Sequence, residues 1–299
     1  MHTNVSTYCS MCAMEFPIRP LLPKDFPPLL REIPDAPKAL SIRGALPGPE
    51  YVYLCVVGSR RTTQYGSRVL SKLLAGLTNH PVAVVSGLAW GTDANAHRVA
   101  LEVGLPTVAV MPSGLSDEVM YPTMNRPLAR QILKSGGALI SENPANFKAM
   151  LHSFAQRNRI AAGMSKAALI IEAGEKSGTL ITARLALDYN REVLVVPHEI
   201  GHATGLGCNS LIHEGATLVR NSDDILEALG FKLSDPVQQT LPTDLTEAEA
   251  AILEALTEPL VRDELLDQAE ISAKEASIAL SSLQIRGLIV ERLGKIERV

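Results

Sequence analysis

Three short segments carry the residue types that hold phosphate: Val56-Val57-Gly58-Ser59-Arg60-Arg61, Ser86-Gly87-Leu88-Ala89-Trp90-Gly91-Thr92-Asp93 and Ser177-Gly178-Thr179-Leu180-Ile181-Thr182-Ala183. Each leaves an apolar strand through glycine and small hydroxyl residues and enters a helical pattern. That arrangement presents backbone N–H groups and a helix N-terminus to an anion. Gly58 lets the backbone approach a phosphate, Ser59 offers a hydroxyl, and Arg60 can grip two phosphate oxygens at once. A glycine after a strand is also an ordinary tight turn. The arginine beside Gly58 and the second such loop at Ser177, Gly178 and Thr179 tip the reading toward an anion-binding face.

Phe154-Ala155-Gln156-Arg157-Asn158-Arg159 sets an aromatic ring beside two guanidinium groups at the expected start of a helix. A nucleobase stacked on Phe154, with Arg157 or Lys148 on the adjoining phosphate, is how a strand is held without reading its sequence. Phe154 as a core residue and Arg159 in an internal ion pair are the alternatives. Aromatics make up only 4% of the chain, so few other rings can stack, and Trp90 in the second glycine loop is the main competitor.

Other chemistry-bearing pairs read more plainly. Asp93 and His97 lie four apart on one helical face, and Asp188 and Glu192 near another helix end. An acid and an imidazole could serve general acid–base work, but Asp93 capping its helix and His97 bracing the loop is the simpler account. His198-Glu199-Ile200-Gly201-His202 is a literal H-E-x-x-H, the zinc-protease signature, with His213 or Cys208 as conceivable third ligand. It directly follows an apolar strand and Pro197, and Gly201, Gly205 and Gly207 disfavour the helix that would align both imidazoles. An irregular loop without metal is expected. Cys9-Ser10-Met11-Cys12 is half a zinc site, and no second pair follows at ribbon spacing.

These loops need a frame. Tyr51 to Val57, Val82 to Val85, Thr107 to Met111, Ala138 to Ile140, Ala167 to Ile171 and Val193 to Val196 are near-continuous apolar runs separated by helical patterns. This is the signature of strands buried on both faces of a parallel sheet. The expected fold is α/β, a Rossmann-like doubly wound parallel sheet over 51–231, with ligands at the C-terminal ends of the strands. Residues 1–50 precede it as a Pro-rich segment laid against the main domain; nine prolines between Pro17 and Pro49 forbid long helices. A polar linker over 232–243 then leads to 244–299. There, helical spacing of apolar residues followed by a strand, a Gly294 turn and a second strand reads as a small winged-helix domain.

The chain of 299 residues is 46% hydrophobic, enough for a large core and a small one. It has no apolar run of the ~20 residues a membrane helix needs and no secretory pattern at its start, so a cytoplasmic protein is expected. Four cysteines suit reduced thiols rather than a disulfide framework. The net charge of −4 hides an asymmetry: residues 243–299 carry a balance of −6, leaving +2 on the rest. Any DNA-binding surface should therefore lie on the large domain, since an acidic winged helix is a poor lone DNA reader.

The loops and their order resemble the DNA-processing family known as DprA or Smf. The matching residues include Val57-Gly58-Ser59-Arg60, Tyr65-Gly66, Ser86-Gly87-Leu88-Ala89 with Gly91 and Asp93, and Ala96-His97. Further along they include Tyr121-Pro122 with Asn125, Ser141-Glu142, Arg157-Asn158-Arg159, Ser177 to Ala183, and Asn209 with Leu211-Ile212. The similarity covers roughly residues 15–230; His198 and Cys208 stand where the family usually has glycine and threonine. The resemblance implies sequence-independent single-stranded DNA binding, a homodimer formed through the Rossmann domains, and help in loading a RecA-type recombinase during natural transformation. No cofactor, metal, membrane contact or catalytic activity is expected. Gly58, Ser59, Arg60, Lys148, Phe154, Arg157, Ser177, Gly178 and Thr179 are the expected strand contacts. Two rivals remain: a Rossmann enzyme that binds or hydrolyses a nucleotide derivative through the same loops, and a zinc hydrolase built on His198, Glu199 and His202.

Overall fold

The computed structural model describes residues 15–232, 245–256, 260–269, 271–286, 288–292 and 294–298. The Cys9 and Cys12 pair and nearly all of the expected linker lie outside the described residues. Contacts divide the chain into two compact units, Met1–Leu233 and Ser234–Val299.

The first unit is built on a mostly parallel sheet. Strands β3 (Val52–Val57), β4 (Val82–Ser86), β5 (Thr107–Val110), β6 (Ala138–Ser141), β7 (Ala167–Ile170), β8 (Glu192–Val195) and β9 (Thr217–Leu218) join in the order β6-β5-β4-β3-β7-β8-β9, all parallel. The chain winds outward from β3 to β6, then crosses back to place β7 on the other side of β3. This is the doubly wound arrangement expected from the apolar runs. The segment before Tyr51 is more than a covering: β1 (Arg19–Leu21) pairs with β2 (Leu40–Gly44), and β2 pairs antiparallel with β6. Two strands therefore extend the sheet beyond its parallel part. Arg43 in β2 is 2% exposed, and its guanidinium donates to Asp117 and to the Leu115 carbonyl, so its charge is met inside.

Alternation along the strands feeds a core on each face. Cys55 and Val57 of β3 pack on one side with α5 (Leu151–Met164) and α6 (Thr179–Asp188). Leu54 and Val56 pack on the other with α2 (Gln64–Ala75), α3 (Thr92–Glu102) and α8 (Ser222–Ala228). Two short helices complete this unit's first face, α1 (Pro28–Glu32) and α7 (Leu206–His213), while α4 (Arg126–Lys134) covers the outer strands of the second. The pleat places successive side chains on opposite faces, so continuous Val/Leu runs are what such a sheet needs.

The described residues of the second unit form α9 (Glu247–Ala255), α10 (Arg262–Ala269), α11 (Ala273–Ile285) and a small antiparallel sheet in the order β10 (Leu260–Val261), β12 (Lys295–Arg298), β11 (Ile289–Arg292). Two of its helices begin with reciprocal caps. Thr246 accepts from the Glu249 amide while Glu249 accepts from the Thr246 amide, and Ser272 and Glu275 repeat the pattern. Ile252, Leu265, Leu283 and Ile296 lie in its separate core. Among the described residues no helix is long and apolar enough to cross a membrane.

Candidate nucleic-acid interface

Crossing back from β6 to β7 makes the loops after β3 and β7 run to opposite sides, which opens a crevice at the strand C-termini. A cavity of about 480 Å³ occupies it. Gly58, Ser59 and Arg60 line it from the β3 loop, Ser177, Gly178 and Thr179 from the β7 loop, and Phe154 and Arg157 from α5. Eight of the nine expected contact residues thus meet in one place, from three separated stretches of sequence. Lys148 is exposed on the segment before α5 and is not part of this wall.

Hydrogen bonds join the loops into a single frame. The Ser59 carbonyl accepts from the Thr92 amide at 3.0 Å, the Thr92 hydroxyl at 3.2 Å and the Thr62 hydroxyl at 3.2 Å. Glu172, buried just after β7, accepts from the Thr63 amide at 3.0 Å and the Thr63 hydroxyl at 2.5 Å. Thr63 in turn caps α2 by accepting from the Gly66 amide. Glu172 therefore buckles the β3 loop to the β7 loop, a role with no local signal in the sequence. At Gly58 an added Cβ would stand 2.5 to 2.9 Å from the Thr92 side chain, so the close approach of loop and helix requires glycine. Gly178 has open space where its Cβ would be.

The polar side chains divide by commitment. Ser59 Oγ accepts from the Arg61 amide at 3.0 Å, and Ser177 Oγ accepts from the Thr179 amide at 3.2 Å; both hydroxyls shape their own loops. Arg60 is exposed, and its guanidinium sits 5.4 Å from the centroid of the Phe154 ring. Phe154 is half-buried, with one edge against Tyr121 at 5.7 Å between centroids. The ring is therefore neither a plain core residue nor fully free.

Arg157 takes a different place from Arg60. It is 7% exposed, donates to the Val110 carbonyl at 2.9 Å and to Asn158 Oδ1 at 2.9 Å, and pairs with Asp93 at 3.5 Å. Burial pushes the Asp93 carboxyl upward, while the Arg157 charge and backbone hydrogen bonds from Ala89 and Gly87 pull it back. Burial also pushes the Arg157 guanidinium down, and Asp93 opposes that. A Cβ at Gly87 would land on the guanidinium, so this glycine makes room for it. Arg157 is part of the cavity floor, with its donors turned toward protein acceptors. Arg159, as the ion-pair reading had it, bonds to both oxygens of Glu142 at 2.6 Å.

Asp93 is not the cap of α3; Gly91 holds that position with φ of 75°. His97 is fully buried, with Nδ1 at 2.7 Å from the Thr107 hydroxyl. Burial first, then the charges of Arg157 and Arg98, hold its pKa down to about 3. This enclosed imidazole braces the fold and does not line the cavity.

The H-E-x-x-H segment forms turns, and α7 begins only at Leu206. His198 Nε2 lies 2.8 Å from the Ile171 carbonyl, and its ring meets Tyr65 edge-on at 5.1 Å. Asn209 holds the loop by accepting from the His198 amide and donating to the His198 carbonyl, each at 3.1 Å. Cys208 is buried, and burial pushes its thiol up to about 12. Among the described residues no three His, Cys, Asp or Glu side chains converge as a metal site.

Relatives share this frame. A match to the family model for DNA recombination-mediator protein A covers residues 19–230. The chain is 40% identical to Protein Smf of Escherichia coli over 227 residues, 75% of this chain and 60% of that protein. It is 37% identical to DNA processing protein DprA of Streptococcus pneumoniae over 217 residues, 73% of this chain and 76% of that one. The solved structure of DprA from Streptococcus pneumoniae superposes with a TM-score of 0.66 at 34% identity, covering 77% of this chain and 80% of that one. DNA processing protein A from Helicobacter pylori, whose structure was described for its single-stranded DNA binding mode, superposes at 0.62 with 28% identity, covering 72% of this chain and 96% of that one. With the glycine loops, the Rossmann-like frame and these similarities together, the chain belongs to the DNA recombination-mediator protein A family, the DprA and Smf proteins.

Proposed function

We propose that this protein binds single-stranded DNA without sequence preference in the crevice between the β3 and β7 loops, and that it performs no chemical step there. The observation that carries the reading is Arg60 lying over Phe154 at the cavity formed by the two glycine loops. A cation for the backbone next to a ring for a base, on a wall of small residues, is the pairing that holds strands of any sequence. The similarity to a Helicobacter pylori protein described for single-stranded DNA binding supports it. The reading of no chemical step is supported by His97 lying outside the cavity lining and by Asp93, which does line it, being paired with Arg157.

The same reading extends to a cytoplasmic homodimer that helps load a RecA-type recombinase in natural transformation; the family's description as a recombination mediator is its support. The second unit is read as a winged helix whose job lies with protein partners, since residues 243–299 carry the −6 balance. Deleting residues 243–299 should then leave most strand affinity in place.

The test is fluorescence anisotropy with oligothymidylates of increasing length and with duplex of the same length, across a salt series. Single strands should bind better than duplex, with affinity rising with length and a log–log salt slope near −0.7 for each phosphate neutralised. Equal binding of both forms, or a flat salt response, would sink the proposal. The second reading, a site for a nucleotide derivative, draws on the cavity volume of about 480 Å³, within the ~300–1,000 Å³ of small-ligand sites. Saturation by a mononucleotide with no gain from added length would favour it.

A further inference from the structure

Beside the main cavity lies a narrower cleft of about 30 Å³ that shares Arg60, Ala89, Phe154 and Arg157 with it and has Trp90 and Tyr121 among its other walls. These rings are unusually open: Trp90 is 51% and Tyr121 41% exposed. Large apolar side chains left exposed in a cluster next to a binding site mark a surface that something covers.

The loops that carry the rings are also tied together within the protein itself. Trp90 is bracketed by Leu88, at φ of 57°, and Gly91, at φ of 75°. Asn125, buried just beyond Tyr121, donates to the Leu88 carbonyl at 2.8 Å and ties the tryptophan loop to the tyrosine loop. Tyr121 is held by its amide, which donates to Ser113 Oγ at 3.3 Å, and by its ring against Phe154. Two loops about thirty residues apart are thus tied together, and Trp90 and Tyr121 line the same cleft. Pre-set aromatic surfaces lose little conformational entropy when a ligand stacks on them.

We propose that Trp90 and Tyr121 form a second nucleobase subsite, a stacking shelf for the base next to the nucleotide held at Arg60 and Phe154. The inference rests on the strand-binding reading above and adds the direction in which the strand leaves the crevice. The occupant follows from continuity: Arg60 borders both spaces, so a backbone phosphate at its guanidinium places one nucleotide in the cavity and the next over the shelf. The cleft is too narrow to enclose a base and suits stacking at its mouth. Stacking makes no demand on base identity, because every base has a π-face.

Trp90 is the single tryptophan of the chain, so its emission reports the shelf directly. The full chain is titrated with thymidine 5′-monophosphate, with thymidine dinucleotide and with longer oligothymidylates. Binding is followed in parallel by tryptophan emission and by competition against a labelled oligonucleotide. Oligonucleotides of two or more residues should quench Trp90 saturably, while the mononucleotide competes without quenching. Trp90→Ala should weaken oligonucleotides at least about fivefold, leave mononucleotide competition unchanged, and be rescued in large part by Trp90→Phe. Circular dichroism confirms that each variant is folded. Oligonucleotide binding that depends on Arg60 but neither quenches Trp90 nor responds to Trp90→Ala would overturn the shelf and leave the crevice reading standing. Absence of oligonucleotide binding by the unaltered chain would overturn both. A shift of Trp90 emission when the protein alone is concentrated, with no further change on adding DNA, would assign the rings to a second copy of the chain and overturn the proposal.

Discussion

The loop after β3 and the loop after β8 leave the same end of the same sheet, and both carry residues that look chemical. The first meets its partners. Its glycine lets Thr92 close in, its Ser59 carbonyl ties it to α3, and Arg60 is left exposed over Phe154. The second holds the more famous signature, yet His198 faces the Ile171 carbonyl and the Tyr65 ring, and Glu199 and His202 follow on turns. The difference is one of frame. The His198 and His202 rings do stack, 6.4 Å apart between centroids, but one nitrogen of each is taken by the Ile171 carbonyl and the Thr204 hydroxyl, and among the described residues no third ligand joins them. A phosphate loop needs only a strand end, a glycine and a neighbouring loop.

The comparison breaks most sharply at Arg157, the buried side of the first site. Arg157→Ala leaves the Asp93 carboxylate enclosed without its partner, and should cost about 3–5 kcal/mol of stability in urea unfolding. A variant as stable as the parent would show that Arg157 is not part of the floor. Arg60→Ala and Phe154→Ala are the counterpart on the open side. Each should lower single-strand affinity by about 1–3 kcal/mol while changing the melting temperature little. A large fall in melting temperature for Phe154→Ala, with affinity per folded molecule unchanged, would return that ring to the core.

Acid probes the imidazole that the frame encloses. With its folded pKa held down to about 3 against an ordinary 6.5, His97 favours the folded state fully above pH 6.5. That contribution should be lost as pH falls from about 6.5 toward 3, by about 1.4 kcal/mol for each unit separating the two values. Comparing melting temperatures of the parent and His97→Gln across this window checks the sign; parallel curves would contradict it. The smallest effect belongs to the other loop. His202, exposed on its turn, should change stability by no more than about 0.5 kcal/mol on conversion to Ala, with DNA affinity unaltered. One tightly held zinc per chain in metal analysis, lost in both His198→Ala and His202→Ala, would reverse the ranking of the two loops.

What the sequence disclosed follows the same division. Strands buried on both faces announce themselves as runs such as Val82 to Ser86, and a glycine loop between such a run and a helix is visible within ten residues. The strand Leu40–Gly44 is harder to see, because prolines crowd both sides of it and Arg43 reads as a solvated charge until Asp117, 74 residues away, is known to receive it. Arg60 and Arg157 carry the same side chain and invite the same role. Only the fold shows that Asp93 and the Val110 carbonyl occupy one of them. The Glu172 buckle and the shared cleft of Trp90 and Tyr121 are likewise long-range facts, with no periodicity or spacing to betray them.

The strands that β1 and β2 add have a consequence for self-association. A sheet ending in a long bare strand offers a row of unpaired amides and carbonyls to any chain that drifts past. Here one border is β1, three residues with Pro20 at the centre and so without that N–H to donate, and the other is β9, only two residues long. Both ends are poor templates. Self-association by edge-to-edge pairing of this unit's sheet is therefore disfavoured. A truncation beginning at Tyr51 would expose the apolar β6 as a new border, and with it a route to aggregation.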